Sequence, residues 1–124
     1  MKPLPPSVTR AWDNREPYVV MTTVSKDGVP NSIYVGSVGR HDERTFYLCN
    51  HHFKKTQQNI LETGRGSLLF LTHEHKSYQL KGCFEFQDRG PVYEAMQKNS
   101  PTPYPASVAV LHVTEVYAGS IKLA

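Results

Sequence analysis

The chain has 124 residues, a formal net charge of +3 and 39% hydrophobic residues. This length predicts one domain that buries about two-thirds of its unfolded-chain surface, so neither disulfides nor a metal are needed for folding. The mild positive charge is compatible with an anionic ligand but is too weak by itself to indicate nucleic-acid or membrane binding. No apolar run approaches the roughly 20 residues of a membrane span. The two cysteines, Cys49 and Cys83, lack CxxC spacing, which favours a reducing, cytoplasmic setting.

The first half of the chain predicts mostly strands. Residues 1–16 predict a proline-rich arm with a short helix, and residues 1–6 lack the apolar segment of a signal peptide. Residues 18–25 (YVVMTTVS) and 31–38 (NSIYVGSV) predict a β-hairpin, because the Asp27-Gly28 pair between them is a strong turn signal. The polar residues 39–44 predict a loop that leads into a third strand at 45–49.

The second half combines helices and longer strands. Residues 54–63 predict a helix that ends at Gly64, and residues 67–72 (SLLFLT) predict a buried strand. Residues 77–86 alternate in polarity, with Gly82 placed as at a barrel bend. Pro91 opens a second helix over 92–98, and residues 107–117 form the last strand. Six strands with hairpin turns predict a mainly β domain in a small closed barrel, because closure removes exposed strand edges.

The segment Lys54-Lys55-Thr56 is the main candidate binding site. It follows a strand and a short turn and opens a helix. A helix N-terminus offers free backbone N–H groups and the positive end of the helix dipole, and two lysines with a hydroxyl beside it would suit a phosphate. The alternative is an ordinary solvated first turn. Lysine is unfavourable at that helix end, however, unless an anion is present.

Several other residues have a possible functional role, and for each of them a structural role is the alternative. Tyr34 and Tyr47, on neighbouring predicted strands, could wall the pocket of a flat aromatic ligand, or could pack in the core. Cys49 has no recognisable base and favours a buried small residue over a nucleophile. His73 and His75 lack a third ligand at metal-site spacing, so no metal site is predicted.

Three pairs of segments, in this order and spacing, resemble the FMN-binding split-barrel family related to pyridoxamine 5′-phosphate oxidase. They are residues 20–24 (VMTTV) with 27–31 (DGVPN), 47–50 (YLCN) with 54–60 (KKTQQNI), and 78–82 (YQLKG) with Tyr93-Glu94. The resemblance covers about residues 18–117. It implies a six-stranded antiparallel split β-barrel with two or three short helices, an obligate homodimer, and FMN in the clefts between the subunits.

The resemblance also implies individual cofactor contacts. The FMN phosphate would lie on Lys54, Lys55 and Thr56, the isoalloxazine ring would run along Ile33, Tyr34 and Val35, and Cys49 and Asn50 would meet the ring or the ribityl chain. No side chain needs to act as an acid or base in electron or hydride transfer through the flavin, so no catalytic residue is predicted.

The chain departs from true pyridoxamine phosphate oxidases at its end, residues 119–124, which lacks the arginine and histidine that grip the substrate phosphate in those enzymes. Oxidation of pyridoxamine 5′-phosphate is therefore not expected. The resemblance to small FMN-binding proteins instead implies an FMN-dependent oxidoreductase or electron-transfer protein, with NAD(P)H or a redox protein as partner. Two alternatives stay open: a flavin store or redox sensor without turnover, and a small barrel that binds single-stranded nucleic acid through lysines and tyrosines.

Overall fold

The computed structural model describes residues 3–124, so the first two residues of the predicted N-terminal arm lie outside the described residues. The elements in chain order are α1 (Pro6–Asp13), β1 (Val19–Val24), β2 (Pro30–Val35), β3 (Val38–Asp42), β4 (Thr45–Cys49), α2 (Lys55–Glu62), β5 (Arg65–Leu71), β6 (Ser77–Gln87), α3 (Pro91–Asn99), β7 (Val108–Ala118) and β8 (Ile121–Lys122).

The strands form one antiparallel sheet that curls into a half-barrel. Their order is β2-β1-β5-β6-β7-β4-β3, with the short β8 paired to β7. Strands β2 and β3 are at opposite ends of this order, yet only Gly36 and Ser37 connect them. Three Cα steps span at most about 11 Å, whereas seven strands laid flat would separate the ends by about 28 Å. The sheet must therefore curl until its two end strands come close together.

The predicted strand count of six is wrong, because the sheet has eight strands. Residues 38–42, mostly expected to form a polar loop, form the edge strand β3, which pairs with β4. The preceding strand is accordingly shorter than predicted and ends at Val35. An edge strand pairs through its backbone on one side and faces solvent on the other, so its side chains need not be apolar. The mainly β class and a third helix, α1, agree with the expectation.

Three glycine predictions are confirmed by the backbone. Gly28 takes a φ of +83° in the hairpin turn, and Gly64 takes a φ of +68° directly after α2. At Gly82 the register between β6 and β7 shifts by one residue, and a Cβ atom there would overlap the carbonyl oxygen of His112. The β6 bend therefore depends on a residue without a side chain.

The main hydrophobic core fills the concave side of the sheet, and α1 packs into it. Val8, Ala11 and Trp12 of α1 are buried in this core. The Trp12 ring lies edge-on to the rings of Phe46 and Phe70, with centroid distances of 4.8 Å and 5.2 Å. A smaller core lies on the other face of the sheet, where α3 covers β4 and β7. Because successive strand residues face opposite sides, β4 contributes to both cores.

Candidate functional site

A cleft of about 400 Å³ lies where the edge of β2 meets the start of α2. We call it the lysine cleft; its lining is Asn31, Ile33, Tyr34, His51, His52, Phe53, Lys54, Lys55 and Thr56. Ile33 and Tyr34 are successive strand residues and so face opposite sides of the sheet. Since both line the cleft, the cleft runs along the free edge of β2. Its volume lies within the usual range of small-molecule sites, about 300–1,000 Å³.

Helix α2 is fixed to the sheet by hydrogen bonds between side chains. Asn59 is fully buried, and its Nδ2 donates to the Thr23 hydroxyl oxygen at 3.1 Å. At the start of the helix, Asn31 Nδ2 donates to the hydroxyl oxygen of the buried Thr56 at 3.2 Å. The Thr56 hydroxyl oxygen accepts this hydrogen bond, so the hydroxyl proton is free to be donated to a ligand in the cleft. Asn31 thereby orients Thr56.

The loop before α2 is shaped by Asn50. Its Oδ1 accepts from the backbone N–H of Phe53 at 3.1 Å, and its Nδ2 donates to the Ser107 hydroxyl oxygen at 3.1 Å. Within this loop His52 takes a φ of +71°, which is uncommon for a residue other than glycine. Asn50 itself does not line the lysine cleft. It positions the loop from which His51, His52 and Phe53 reach the cleft.

The charge in the lysine cleft is positive. Lys54 and Lys55 line it, and no Asp or Glu of the described part of the chain does. Helix α2 has no side-chain cap at its N-terminus and no acidic residue in its first turn. The first backbone N–H groups of a helix lack intrahelical acceptors. Such N–H groups beside two ammonium groups suit an anion.

A second, larger cavity of about 610 Å³ lies on the other side of the turn between β2 and β3. We call it the arginine cavity, and its lining is residues 36–40, Tyr47, Cys49, His51, residues 99–103 and Pro105. Burial raises the pKa of the Tyr47 hydroxyl, and a hydrogen bond with Asn99 opposes this effect. Burial also raises the pKa of the Cys49 thiol, against a hydrogen bond with Ser100. Both groups therefore stay neutral at neutral pH.

The structure brings five of the eight predicted cofactor contacts together in the lysine cleft: Ile33, Tyr34, Lys54, Lys55 and Thr56. The other three lie elsewhere. Val35 and Cys49 are buried, Cys49 beside the arginine cavity, and Asn50 lies behind the loop.

One part of the tyrosine prediction is wrong, since Tyr34 and Tyr47 are not on neighbouring strands. Strands β2 and β4 are not paired, and Tyr47 is buried beside the other cavity. Tyr34, in contrast, is 77% exposed. Only Tyr34 can therefore contribute to the wall of the lysine cleft.

Sequence reasoning missed Asn31 and the three loop residues of the lysine cleft. A signal for Asn31 was present, because it precedes Ile33 by two residues and so shares its side of the strand. The arginine cavity was missed altogether, because its walls come from distant parts of the chain. Among residues 3–124 no group of three or more His, Cys, Asp or Glu side chains is arranged to hold a metal ion. No helix in the same range is long and apolar enough to cross a membrane.

Comparison with known proteins identifies the family. The family model for pyridoxamine 5′-phosphate oxidase matches residues 7–119. The chain is 32% identical over 105 residues to the uncharacterized protein MJ0282 of Methanocaldococcus jannaschii, covering 80% of this chain and 70% of that one. Among solved structures, HupZ of Group A Streptococcus is 25% identical with a TM-score of 0.82, and the match covers 98% of each chain.

An FMN-binding protein from Syntrophomonas wolfei has the same fold. It is 17% identical with a TM-score of 0.73, and the match covers 89% of this chain and 81% of that one. The family model spans α1 from its second residue, the other two helices and the strands from β1 to β7, including both sides of the lysine cleft. The chain therefore belongs to the pyridoxamine 5′-phosphate oxidase family.

Proposed function

We propose that the protein binds FMN in the lysine cleft and acts as an FMN-dependent oxidoreductase or electron-transfer protein. One observation carries this proposal: the cleft joins an anion-binding end to a wall formed by the edge of a strand. The anion-binding end is the uncapped N-terminus of α2 with Lys54 and Lys55, and the wall is the free edge of β2. FMN has the matching shape, with a phosphate at one end and a flat ring system at the other. Membership of the family supports the same cofactor.

At the phosphate end, three kinds of donor converge. The ammonium groups of Lys54 and Lys55 provide charge, the first N–H groups of α2 provide directed donors, and Thr56 provides a hydroxyl proton. Hydrogen bonds to a charged group are about twice as strong as neutral ones. The side chains that tie α2 to β1 and β2 keep these donors in place, so little ordering is needed when the phosphate binds.

Along the wall, β2 has a strand partner on one side only. The backbone N–H and C=O groups of its outer edge are therefore available to the polar edge of a ring. Ile33 and Tyr34 can contact the ring from the two sides of that edge. Bound FMN would supply hydride or electron transfer, while the protein supplies orientation and electrostatics. In this arrangement the protein binds and orients the flavin without contributing a proton from a side chain.

The test compares FMN with riboflavin, which lacks the phosphate. We expect a flavin absorption spectrum for the purified protein and tighter binding of FMN than of riboflavin in a fluorescence titration. Lys55→Ala should weaken FMN binding by about 10- to 150-fold, the effect of losing one charge-assisted hydrogen bond. The same variant should leave riboflavin affinity unchanged. Lys98→Ala, a matched substitution in the last turn of α3, should change neither affinity.

Three results would contradict the proposal. Equal affinities for FMN and riboflavin, or an unaltered FMN affinity in Lys55→Ala, would show that the phosphate does not lie on α2. A protein that binds no flavin and instead takes up hemin would point to a different ligand. Hemin is the appropriate competitor because His51 and His52 also line the cleft, and histidine is a common axial ligand of heme iron.

Turnover is a separate question from binding. If NADH or NADPH bleaches the bound flavin, the protein accepts electrons from a nicotinamide. If neither does, an electron-transfer role with a protein partner or a non-catalytic flavin sensor is favoured. The homodimer and the electron donor stay predictions from the resemblance, and the cytoplasmic location stays a prediction from the cysteine pattern.

A further inference from the structure

The arginine cavity has a ligand chemistry of its own, distinct from that of the lysine cleft. Among residues 3–124, Arg40 of the edge strand β3 is the one arginine in its lining, and neither Asp nor Glu lines it. The Arg40 Nε is buried and has no hydrogen-bond partner among the described residues, and the guanidinium forms no ion pair with a carboxylate in that part of the chain. The guanidinium keeps its charge at any ordinary pH, so a cavity that it lines without a carboxylate favours an anionic ligand.

The rest of the cavity combines a few neutral polar groups with apolar walls. Tyr47 and Ser100 place hydroxyl groups at its lining, and burial keeps the Tyr47 hydroxyl protonated. Pro101, Pro103 and Pro105 form an apolar side. This proline segment is held to α3, because the Tyr93 hydroxyl donates to the Pro105 carbonyl oxygen at 2.6 Å. A concave pocket that joins apolar walls to placed polar groups is typical of sites for small organic molecules.

We propose that the arginine cavity binds a small organic anion, with an apolar body against the prolines and one carboxylate or phosphate group on Arg40. The planar guanidinium offers parallel N–H donors that match either group. The cavity also adjoins the lysine cleft, since His51 lines both. The proposal that the cavity binds an anion does not depend on whether the protein binds flavin. As the site of a substrate for the flavin it rests on the proposed function.

The test uses three aromatic probes of similar size: benzoate, phenyl phosphate and the neutral benzamide. We expect isothermal titration with the purified protein, as isolated and after loading with FMN, to show binding of at least one anion and much weaker binding of benzamide. Which anion binds better distinguishes a carboxylate from a phosphate ligand. In NMR spectra of the unaltered protein, that anion should shift the backbone amide signals of Gly36 and Gly39, which line the cavity. It should leave Gly28 and Gly119, outside the cavity, unchanged.

Arg40→Gln should weaken binding of that anion by about 10- to 150-fold, and Arg40→Lys should retain part of the affinity. The matched control is Arg89→Gln, whose side chain is 89% exposed and lies outside the cavity. Equal affinity for benzamide and the anions, an unaltered affinity in Arg40→Gln, or shifts that miss Gly36 and Gly39 would overturn the proposal.

The two proposals fail in different ways. If FMN does not bind but the anion does, the anion site is supported and the proposed flavin function is wrong. If Arg40→Gln weakens FMN as strongly as it weakens the anion, the cavity belongs to the cofactor itself, and a separate anion site is wrong.

Discussion

The side chains of β4 lie in two environments on opposite faces of the sheet, and Tyr47 and Cys49 share one of them. Phe46 and Leu48 pack in the main core, whereas Tyr47 and Cys49 face α3 and the arginine cavity. Burial raises the pKa of both the Tyr47 hydroxyl and the Cys49 thiol. A cysteine with these surroundings is a poor nucleophile at neutral pH, because the thiolate is the reactive form. This agrees with the interpretation of Cys49 as a buried small residue.

The raised pKa of Cys49 predicts a loss of stability at alkaline pH. Below the pKa of an unfolded cysteine, about 8.5, both states keep the proton and the stabilising effect is complete. As the pH rises above that value, the unfolded chain releases its proton while folded Cys49 keeps it, so the free energy of unfolding falls. Urea unfolding with reductant present, between about pH 7.5 and pH 9.5, measures this fall.

The matched variants for this prediction are Cys49→Ala and Cys83→Ala. Cys49→Ala should show a shallower decrease of stability with pH, whereas Cys83→Ala, which alters the exposed cysteine, should keep the wild-type slope. Identical slopes in Cys49→Ala and the wild type would show that the thiol does not titrate as expected. The raised pKa of Tyr47 also lowers the free energy of unfolding as the pH rises, but at the higher pH where a tyrosine titrates.

At the scale of elements, α1 is part of the core rather than a loosely attached arm. Residues 3–16 of the predicted N-terminal arm contribute buried side chains to the main core, and Trp12 among them is only 2% exposed. Arg15 lies over the Trp12 ring at 4.0 Å, and its Nη1 donates to the Trp12 carbonyl oxygen at 2.8 Å. The short helix is therefore held by a large aromatic side chain and by the residues that follow it.

Trp12→Ala should lower the free energy of unfolding by about 3–5 kcal/mol, the usual cost of truncating a buried large aromatic residue. Trp12→Phe keeps a ring against Phe46 and Phe70 and should cost less. Urea unfolding followed by circular dichroism measures both variants. A loss below about 1 kcal/mol for Trp12→Ala, within the range of surface substitutions, would show that α1 does not stabilise the sheet.

At the scale of the whole molecule, the outer face of β2, β1 and β5 carries an exposed apolar patch. Tyr34 and Leu69 lie opposite Val20 in the strand registers, so the three side chains share one face of the sheet. Tyr34 is 77% exposed and Leu69 is 41% exposed. Contiguous exposed apolar side chains on a sheet face are typical of an interaction surface. This face adjoins the edge of β2 and hence the lysine cleft.

We predict that this face is the interface of a homodimer that buries on the order of 2,000 Å² or more, the size of obligate interfaces. Sedimentation should give twice the chain mass of 14.0 kDa. Leu69→Glu places a charge in the interface and should yield monomers with weakened FMN binding. Leu61→Glu, at a 71% exposed position on α2, is the matched control and should remain dimeric. A wild-type monomer that still binds FMN at micromolar concentration would contradict the shared-site arrangement.

The parts of this protein that could be predicted from the sequence are those set by short-range chemistry. Asp27-Gly28 predicts its turn because the glycine takes a positive φ, and Lys54-Lys55-Thr56 predicts a helix start because it follows a strand and a short polar turn. The same local signals place Ile33 and Tyr34 on a strand. These predictions needed only a residue and its near neighbours in the chain.

What only the tertiary structure decided depends on contacts between distant segments. The polar strand β3 exists because β4 supplies its hydrogen-bond partners. No apolar pattern in residues 38–42 predicts a strand there. The arginine cavity exists because the curled sheet and α3 bring Arg40 close to Ser100 and the prolines that follow. Tyr47 and Tyr34 serve different cavities because register and sheet order, which long-range pairing sets, decide which side chains meet. Local sequence determined the strands other than β3 and β8 and the helix start at the lysines, whereas the curling of the sheet determined which of their side chains share a site.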